Sequence, residues 1–372
     1  MAAGRLERVS LDGFRGLRDS VELGAALNIV VGPNNAGKTS LLEAAATSLV
    51  LNYADVKLAN YYLMVMYAAR GSEKHSIASL VPPGAASARA CVSLGGEEVC
   101  TEITRESRQE SRGAQLVTVV EVELRATRRE CSLTYTLEPA GIGVRADGRD
   151  CFSQELGVGV LTPGIIPYDF FDMVIGRLKR EQESLEALTL EIAGRRFKVD
   201  LASDDWDQMA AYVVEDAGQE RPRKVIFYSV GRGLQRGLQY LLLLSLADII
   251  LVDEIESAMH PELLEAIAAR TAEAARRGKQ FVITTQSLEA ARMLAAALVT
   301  RDRAAWRSPA RLLEESRRAC TEPDSEDELE RLLALVVLDR DGDSLRSMRL
   351  AGCEALSHIA GSRDVRLSYT LL

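Results

Sequence analysis

Histidine is scarce in this chain, three among 372 residues, and none of the six cysteines stands in a C-x-x-C pair. A structural zinc needs four such ligands at close spacing, so this composition argues against one. Basic residues are outnumbered, 45 Lys and Arg against 54 Asp and Glu, giving a net charge of −9. That balance argues against a protein coated in nucleic acid through bulk charge. A local basic groove stays open. Arg105–Arg112, Arg125–Arg129 and Arg276–Lys279 could form one, although charge runs are ordinarily solvated faces. Long apolar runs are missing too. Tyr240–Val252 is broken by Asp248 and is too short to cross a bilayer, and Met1–Ser10 has no apolar core of the kind an export signal needs. These features predict a cytoplasmic protein without membrane contact. Whether the cysteines pair is left open: Cys91, Cys100, Cys131 and Cys151 fall in a strand-rich middle region, where a disulfide would suit a hyperthermophile.

What the chain does have is 47% apolar and 27% charged residues, enough for two lobes or one domain with insertions. Its most informative stretch is Gly32-Pro33-Asn34-Asn35-Ala36-Gly37-Lys38-Thr39, directly after the apolar run Leu27–Val31. This is G-x-x-x-x-G-K-[ST] between an expected strand and an expected helix over Ser40–Val50, the setting a phosphate-binding loop requires. Glycines let the backbone turn tightly, so several N–H groups converge on phosphate oxygens. Lys38 would reach the β- and γ-phosphates, and the Thr39 hydroxyl would ligate Mg²⁺. The nucleotide-binding set is therefore Gly32, Asn34, Asn35, Ala36, Gly37, Lys38, Thr39 and Ser40.

The chain starts as a strand over Leu6–Leu11, a turn at Asp12-Gly13, a second strand and then the nucleotide strand. From Ala90 to about Arg149 the residues alternate with β-branched side chains, as in Thr118–Leu124 and Cys131–Leu137, and Asp147-Gly148 is a hairpin signal. Pro163–Pro167 punctuates the chain. The spacing predicts a helix over Phe170–Ile192, a helix over Leu234–Leu246, a strand over Asp248–Val252, a helix over Glu262–Arg277 and a strand over Gln280–Thr284. Beyond Thr300 the composition turns charged, with a hairpin expected at Asp341-Gly342.

Ile249-Ile250-Leu251-Val252-Asp253-Glu254 is a buried strand ending in two acids. Asp253 would support the metal, and Glu254 would polarise the attacking water. Alone this is a weak signal. Downstream of a phosphate loop and ahead of Glu256-Ser257-Ala258-Met259-His260-Pro261 it becomes a specific one. Together with Leu11-Asp12-Gly13-Phe14-Arg15-Gly16-Leu17, these segments resemble the ABC-type ATPase heads of the RecF, SMC and OLD-like group. The closest likeness is to short archaeal and bacterial OLD-like AAA ATPases without a Toprim domain. The resemblance covers the two ends of the catalytic core, and the middle only by layout. It implies an α/β fold, a P-loop NTPase of ABC-ATPase-head type with an antiparallel β subdomain and a helical insertion. It also implies Arg15 near the nucleotide, Mg²⁺ with ATP as cofactor, and two heads clamping ATP between them.

In such heads each subunit gives a signature segment to its partner's nucleotide. Ser229-Val230-Gly231-Arg232-Gly233-Leu234-Gln235-Arg236 is the candidate here, with Ser229, Gly231 and Gly233 facing phosphate ahead of a helix; the plainer reading is a glycine loop that caps that helix. The family's switch histidine is absent. The chain reads Thr284-Thr285-Gln286-Ser287, and Gln286 can hydrogen-bond a γ-phosphate or water but carries no charge. No counterpart of the metal-sensing glutamine stands out among Gln109, Gln115 and Gln154. Asp339-Arg340-Asp341-Gly342-Asp343 has the D-x-D of a Toprim nuclease, but about thirty residues follow it, too few for that domain. A hairpin explains it more simply. His260 before Pro261 matches the family's dimer-facing loop, and an ordinary helix start fits almost as well.

The expected plan is a first ATPase half over 1–89, an antiparallel β subdomain over 90–150, a helical insertion over 151–225, the second ATPase half over 226–300 and a C-terminal extension over 301–372. The expected function is ATP hydrolysis coupled to homodimerisation, in DNA maintenance or defence, with a DNA or protein partner. The rival is a nucleotide-gated binding module with little hydrolysis. No Asn-Lys-x-Asp motif points to GTP.

Overall fold

Strands buried on both faces need unbroken apolar runs, and the chain's runs of that kind lie side by side. The computed structural model describes residues 4–53, 79–112, 115–128, 131–138, 141–147, 156–163, 189–192, 195–203, 209–216, 223–321 and 325–361. The first part of the chain gives β1 (Leu6–Phe14), β2 (Leu17–Glu22), β3 (Leu27–Val31), α1 (Lys38–Tyr53), β4 (Ser87–Leu94), β5 (Glu97–Arg112), β6 (Gln115–Arg128), β7 (Cys131–Glu138), β8 (Gly141–Asp147) and β9 (Val158–Leu161). Then come β10 (Thr189–Ile192), β11 (Arg195–Ser203), β12 (Met209–Asp216), β13 (Arg223–Ile226), α2 (Arg232–Leu246), β14 (Ile249–Val252), α3 (Pro261–Arg276), β15 (Gln280–Thr284) and α4 (Leu288–Val299). The last part gives α5 (Arg303–Arg307), α6 (Pro309–Ala319), α7 (Ser325–Leu332), β16 (Leu333–Asp341), β17 (Ser344–Ala351) and α8 (Gly352–Gly361).

Five strands pair in parallel in the order β9-β14-β15-β3-β16, the α/β core. Their side chains alternate between two cores, as the strand period demands. Ile29, Val31, Ile250, Val252, Phe281, Ile283, Leu335 and Val337 pack with α2, α3 and α4. Val30, Ile249, Leu251, Val282, Val336 and Leu338 face the opposite side, with α1. Each such side chain contributes about 1.5–3 kcal/mol by leaving water. Helix α1 is buried nearly all round because the antiparallel strands β1 and β4–β6 close over it. Strands β4 to β8 pair antiparallel in sequence order and join the core sheet through β1, β2 and β17.

The structure differs from the sequence reading in three places and answers a fourth question that the sequence left open. The helix expected over Phe170–Ile192 fails at its end, since Thr189–Ile192 is a strand. It opens an antiparallel sheet, β10-β11-β12-β13, so the described part of the expected helical insertion is β structure. Cross-strand pairing wins there: Val199 lies opposite Val213, both are buried, and Leu190 joins the same core. Residues 164–188 of that insertion lie outside the described residues, as do Gly148 of the Asp147-Gly148 hairpin signal and Gln154.

The second difference is at the N-terminus, where the reversal falls at Arg15-Gly16 and not at Asp12-Gly13. Phe14 closes on Leu17 around two residues with φ of 53° and 76°, the two-residue turn whose twist suits a hairpin. Gly13 instead sits at a bulge in β1.

Third, the segment read as a C-terminal extension is part of the core. β16 lies parallel to β3, and the hairpin through Gly342-Asp343 returns as β17. Arg346 is ion-paired with Asp341 in that hairpin, and among the described residues no carboxylate cluster there could hold a metal.

Fourth, the cysteine question resolves where it can be seen. Cys91 is bonded to Cys100 across β4 and β5, and Cys320 to Cys353 between the ends of α6 and α8.

Candidate functional site

Three adjacent parallel strands end together, and crevices of α/β sheets form outside such ends. β3 runs into the Gly32–Gly37 loop, β14 into Asp253-Glu254, and β15 into Thr284-Thr285-Gln286. Around them opens a cleft of about 360 Å³ lined by Arg15, Asn34, Asn35, Ala36, Gly37, Lys38, Thr39, Ser40, Asp253, Glu254 and Gln286. The two halves of the expected site therefore meet although most of the chain lies between them. Gly32 stands behind the lining. A Cβ there would sit 2.3 Å from the Leu338 carbonyl oxygen, so only glycine lets the loop lie against β16. Asn35 (φ 68°) and Gly37 (φ 90°) complete the turn into α1.

Lys38 is buried, and its ammonium donates to the carbonyl oxygens of Gly32 and Pro33, both at 2.8 Å. Burial pushes its pKa below the ordinary lysine value, while the charges of Asp253, Glu254 and Glu256 push the other way. The Thr39 hydroxyl lies 3.2 and 3.0 Å from the two carboxylate oxygens of Asp253. Asp253 also accepts from the Thr284 hydroxyl at 2.7 Å, and that same oxygen accepts from the Glu254 amide at 2.8 Å. Gln286 donates its side-chain amide to Glu254 at 2.9 Å, and its backbone N–H to Glu256 at 2.8 Å. Glu254 sits at φ 48°, a left-handed conformation that costs a non-glycine residue of order 1 kcal/mol and clusters at functional sites.

Arg15 reaches the cleft from the β1–β2 turn and pairs at 3.0 Å with Glu43, a buried carboxylate of α1. Ser229, Gly231 and Gly233 do not line the cleft. Ser229 and Gly231 are exposed, and Gly231 is the N-cap of α2 with no side chain capping it. A Cβ on Gly231 would meet nothing within 4 Å among the described residues, whereas one on Gly233 would lie 2.5 Å from the Ala258 carbonyl oxygen. Packing alone thus requires glycine at 233. His260 caps α3, its Nδ1 accepting from the Glu262 amide, with Pro261 in the first turn; this is the plainer of its two readings. Gln109 and Gln115 lie near the tip of the β5–β6 hairpin. Of the basic run at the end of α3, Arg276 donates to the Leu298 carbonyl, Arg277 to Glu273 and Lys279 to the Ala247 carbonyl.

Sequence reasoning did not single out Glu43, Glu256 or the Thr284 hydroxyl. The signal for Glu256 was present: Asp253-Glu254-Ile255-Glu256 spaces three carboxylates over four residues. Glu43 stands one helical turn after Thr39, on the face that turns toward Arg15.

Residues 159–291, less than half of the chain, match the family described as "AAA domain, putative AbiEii toxin, Type IV TA system". That stretch runs from β9 into α4 and contains Asp253, Glu254 and Gln286 but not the Gly32–Thr39 loop. Among solved structures, the chain is similar to an SMC head bound to the C-terminal winged-helix domain of ScpA, at 14% identity over 93% of this chain and 98% of that one, with a TM-score of 0.46. The SMC head domain from Thermotoga maritima gives 12% identity over 93% and 99%, with a TM-score of 0.41. The recombination mediator RecF gives 11% over 94% and 100%, with a TM-score of 0.42. No curated protein matches the sequence.

Proposed function

We propose that this chain is an ABC-type ATPase head that binds ATP and hydrolyses it to ADP and phosphate, and that two copies close on the nucleotide. The observation that carries the reading is the convergence of Thr39, Asp253, Glu254 and Gln286 beside a buried lysine at a phosphate-binding loop. The loop amides and Lys38 bind the triphosphate, and Arg15, held by Glu43, contacts it from the rim. Thr39 and Asp253 present hard oxygen donors side by side, a pair that fits a hard divalent cation such as Mg²⁺. The ion supplies charge neutralisation on the phosphate oxygens when bound. Glu254 accepts the proton of the attacking water, and Gln286 fixes that carboxylate's direction.

The exposed Ser229–Gly231 segment lies outside this cleft, so its service to a phosphate requires a second copy. A cytoplasmic location, a DNA or protein partner, and a role in DNA maintenance or defence belong to the same proposal. The partner and the role in DNA maintenance or defence rest on the family resemblance alone.

A second reading, a nucleotide-gated binding module, is favoured by Gln286, which cannot take a proton where the family carries histidine. One experiment separates the two: phosphate release by wild type against Glu254→Gln, with nucleotide binding and light-scattering mass measured in parallel. Hydrolysis predicts that the variant binds ATP normally, releases phosphate at least about tenfold more slowly and accumulates as a dimer. Equal, background release by both proteins would support the module, and a monomer under every condition would overturn the clamp.

A further inference from the structure

Helix α2 begins at the exposed Gly231 segment and carries Arg236 one turn further in. Arg236 is 5% exposed, and its guanidinium reaches three carbonyl oxygens on two different strand ends. It donates to Thr162 after β9, to Asp253 at 2.6 Å and to Glu254 at 2.9 Å. Its Nε has no hydrogen-bond partner among the described residues. From the geometry we infer that Arg236 is a positioning residue, which holds the Asp253-Glu254 turn in register and ties it to the Ser229–Gly233 segment. The inference rests on the hydrolytic reading of the cleft.

The backbone at Glu254 explains what needs holding. Its left-handed φ is kept by bonds on both sides: Thr284 accepts from the Glu254 amide, and Arg236 donates to the Glu254 carbonyl. With the carbonyls of residues 253 and 254 drawn back toward α2, their side chains are left to the cleft. Stability alone does not account for an arginine here. Burial lowers its pKa to about 10, so it remains a cation at neutral pH at a desolvation cost, and apolar replacements of buried ions are often neutral or stabilising. The charges of Asp253, Glu256 and Glu254 offset part of that cost. The planar fork matters as much as the charge, because a lysine ammonium is a single point and cannot span oxygens on two strand ends. A displacement of α2 at its Gly231 end therefore pulls on the carbonyls that aim Glu254.

The test compares Arg236→Gln and Arg236→Lys with wild type in the full chain, using ATP binding, steady-state phosphate release and amide hydrogen exchange. Arg236 touches none of the cleft-lining loop over Asn34–Ser40, so ATP affinity and KM should stay within about threefold. Turnover of Arg236→Gln should fall by about ten- to a hundredfold, the scale of a small misplacement of a catalytic group, with partial recovery in Arg236→Lys. Amides of Glu254–Glu256 should exchange faster, while those of Lys38–Leu41 should not change. Turnover within about threefold of wild type in folded Arg236→Gln would overturn the inference, as would binding and turnover falling in step. If Arg236→Gln does not fold, Arg236→Lys carries the same comparison. If wild type releases no more phosphate than Glu254→Gln, the hydrolytic reading has failed instead, and hydrogen exchange at Glu254–Glu256 alone decides the role of Arg236.

Discussion

Gly231 and Gly233 look alike in sequence and stand in opposite situations in the fold, so alanine at each should give opposite results in a melt. A methyl group on Gly233 would lie 2.5 Å from the Ala258 carbonyl oxygen, inside any distance that real Cβ atoms adopt. Ala258 is itself in a left-handed conformation at φ 61°. The loop that carries it is stitched by the Ser257 amide to the Glu254 carbonyl at 2.9 Å and the Met259 amide to the Glu256 carbonyl at 3.0 Å, so it cannot easily retreat. Overpacking of this kind costs about 1–3 kcal/mol. Better helix propensity returns up to about 1 kcal/mol, leaving a net loss of roughly 1–2 kcal/mol. In a chain of this size that lowers Tm by about 1–3 °C. Gly231 has open space around it and φ of −58°, which alanine adopts freely, so Gly231→Ala should melt within about 0.5 kcal/mol of wild type. Phosphate release should nevertheless fall in Gly231→Ala if that segment approaches a second copy's nucleotide. The assay is a thermal scan of both nucleotide-free variants followed by turnover. A Gly233→Ala protein that melts at or above wild type would refute the packing argument.

Three further outcomes follow from the site and its surroundings. Thr284→Val removes the hydroxyl between Asp253 and Glu254, leaving a backbone N–H without its acceptor; unfolding should cost about 1–3 kcal/mol less, and half-maximal phosphate release should need more Mg²⁺. Lys38→Ala removes the buried cation at the loop and should weaken ATP binding at least about tenfold in a fluorescent-nucleotide titration. Reduction with dithiothreitol should open Cys91–Cys100 and Cys320–Cys353 and lower stability by about 2–4 kcal/mol per bridge, read as a drop in Tm; an unchanged Tm with all thiols already reactive would mean the bridges do not form in solution.

Much of the cleft was legible because its chemistry is local. A glycine-lysine-threonine loop after an apolar strand, and two acids ending another, announce themselves within a few residues each. That they would lie in one place could be read only through a family resemblance, since parallel strands far apart in sequence leave no local mark. The sheet over β10–β13 was missed for a different reason. Thr189-Leu190-Glu191-Ile192 is too short to show a period of its own, and the charged stretch before it extends a helical spacing across it. Only pairing with β11 decides its state. Arg236 was visible as a letter after the glycines. Its burial against three carbonyls depends on how α2 docks behind β9 and β14, which periodicity does not encode.

The strand that feeds the phosphate loop occupies residues 27–31, yet its two neighbours in the sheet are residues 280–284 and 333–341. During synthesis the loop leaves the ribosome about 250 to 300 residues ahead of either flank. Contacts of such long sequence separation form slowly, and an exposed apolar strand in the interval is a hazard that chaperones exist to cover. A nascent fragment halted before Leu338 would thus carry every letter of the motif while offering ATP no grip. If the cleft takes ATP as proposed, nucleotide capture would report that synthesis has passed β16.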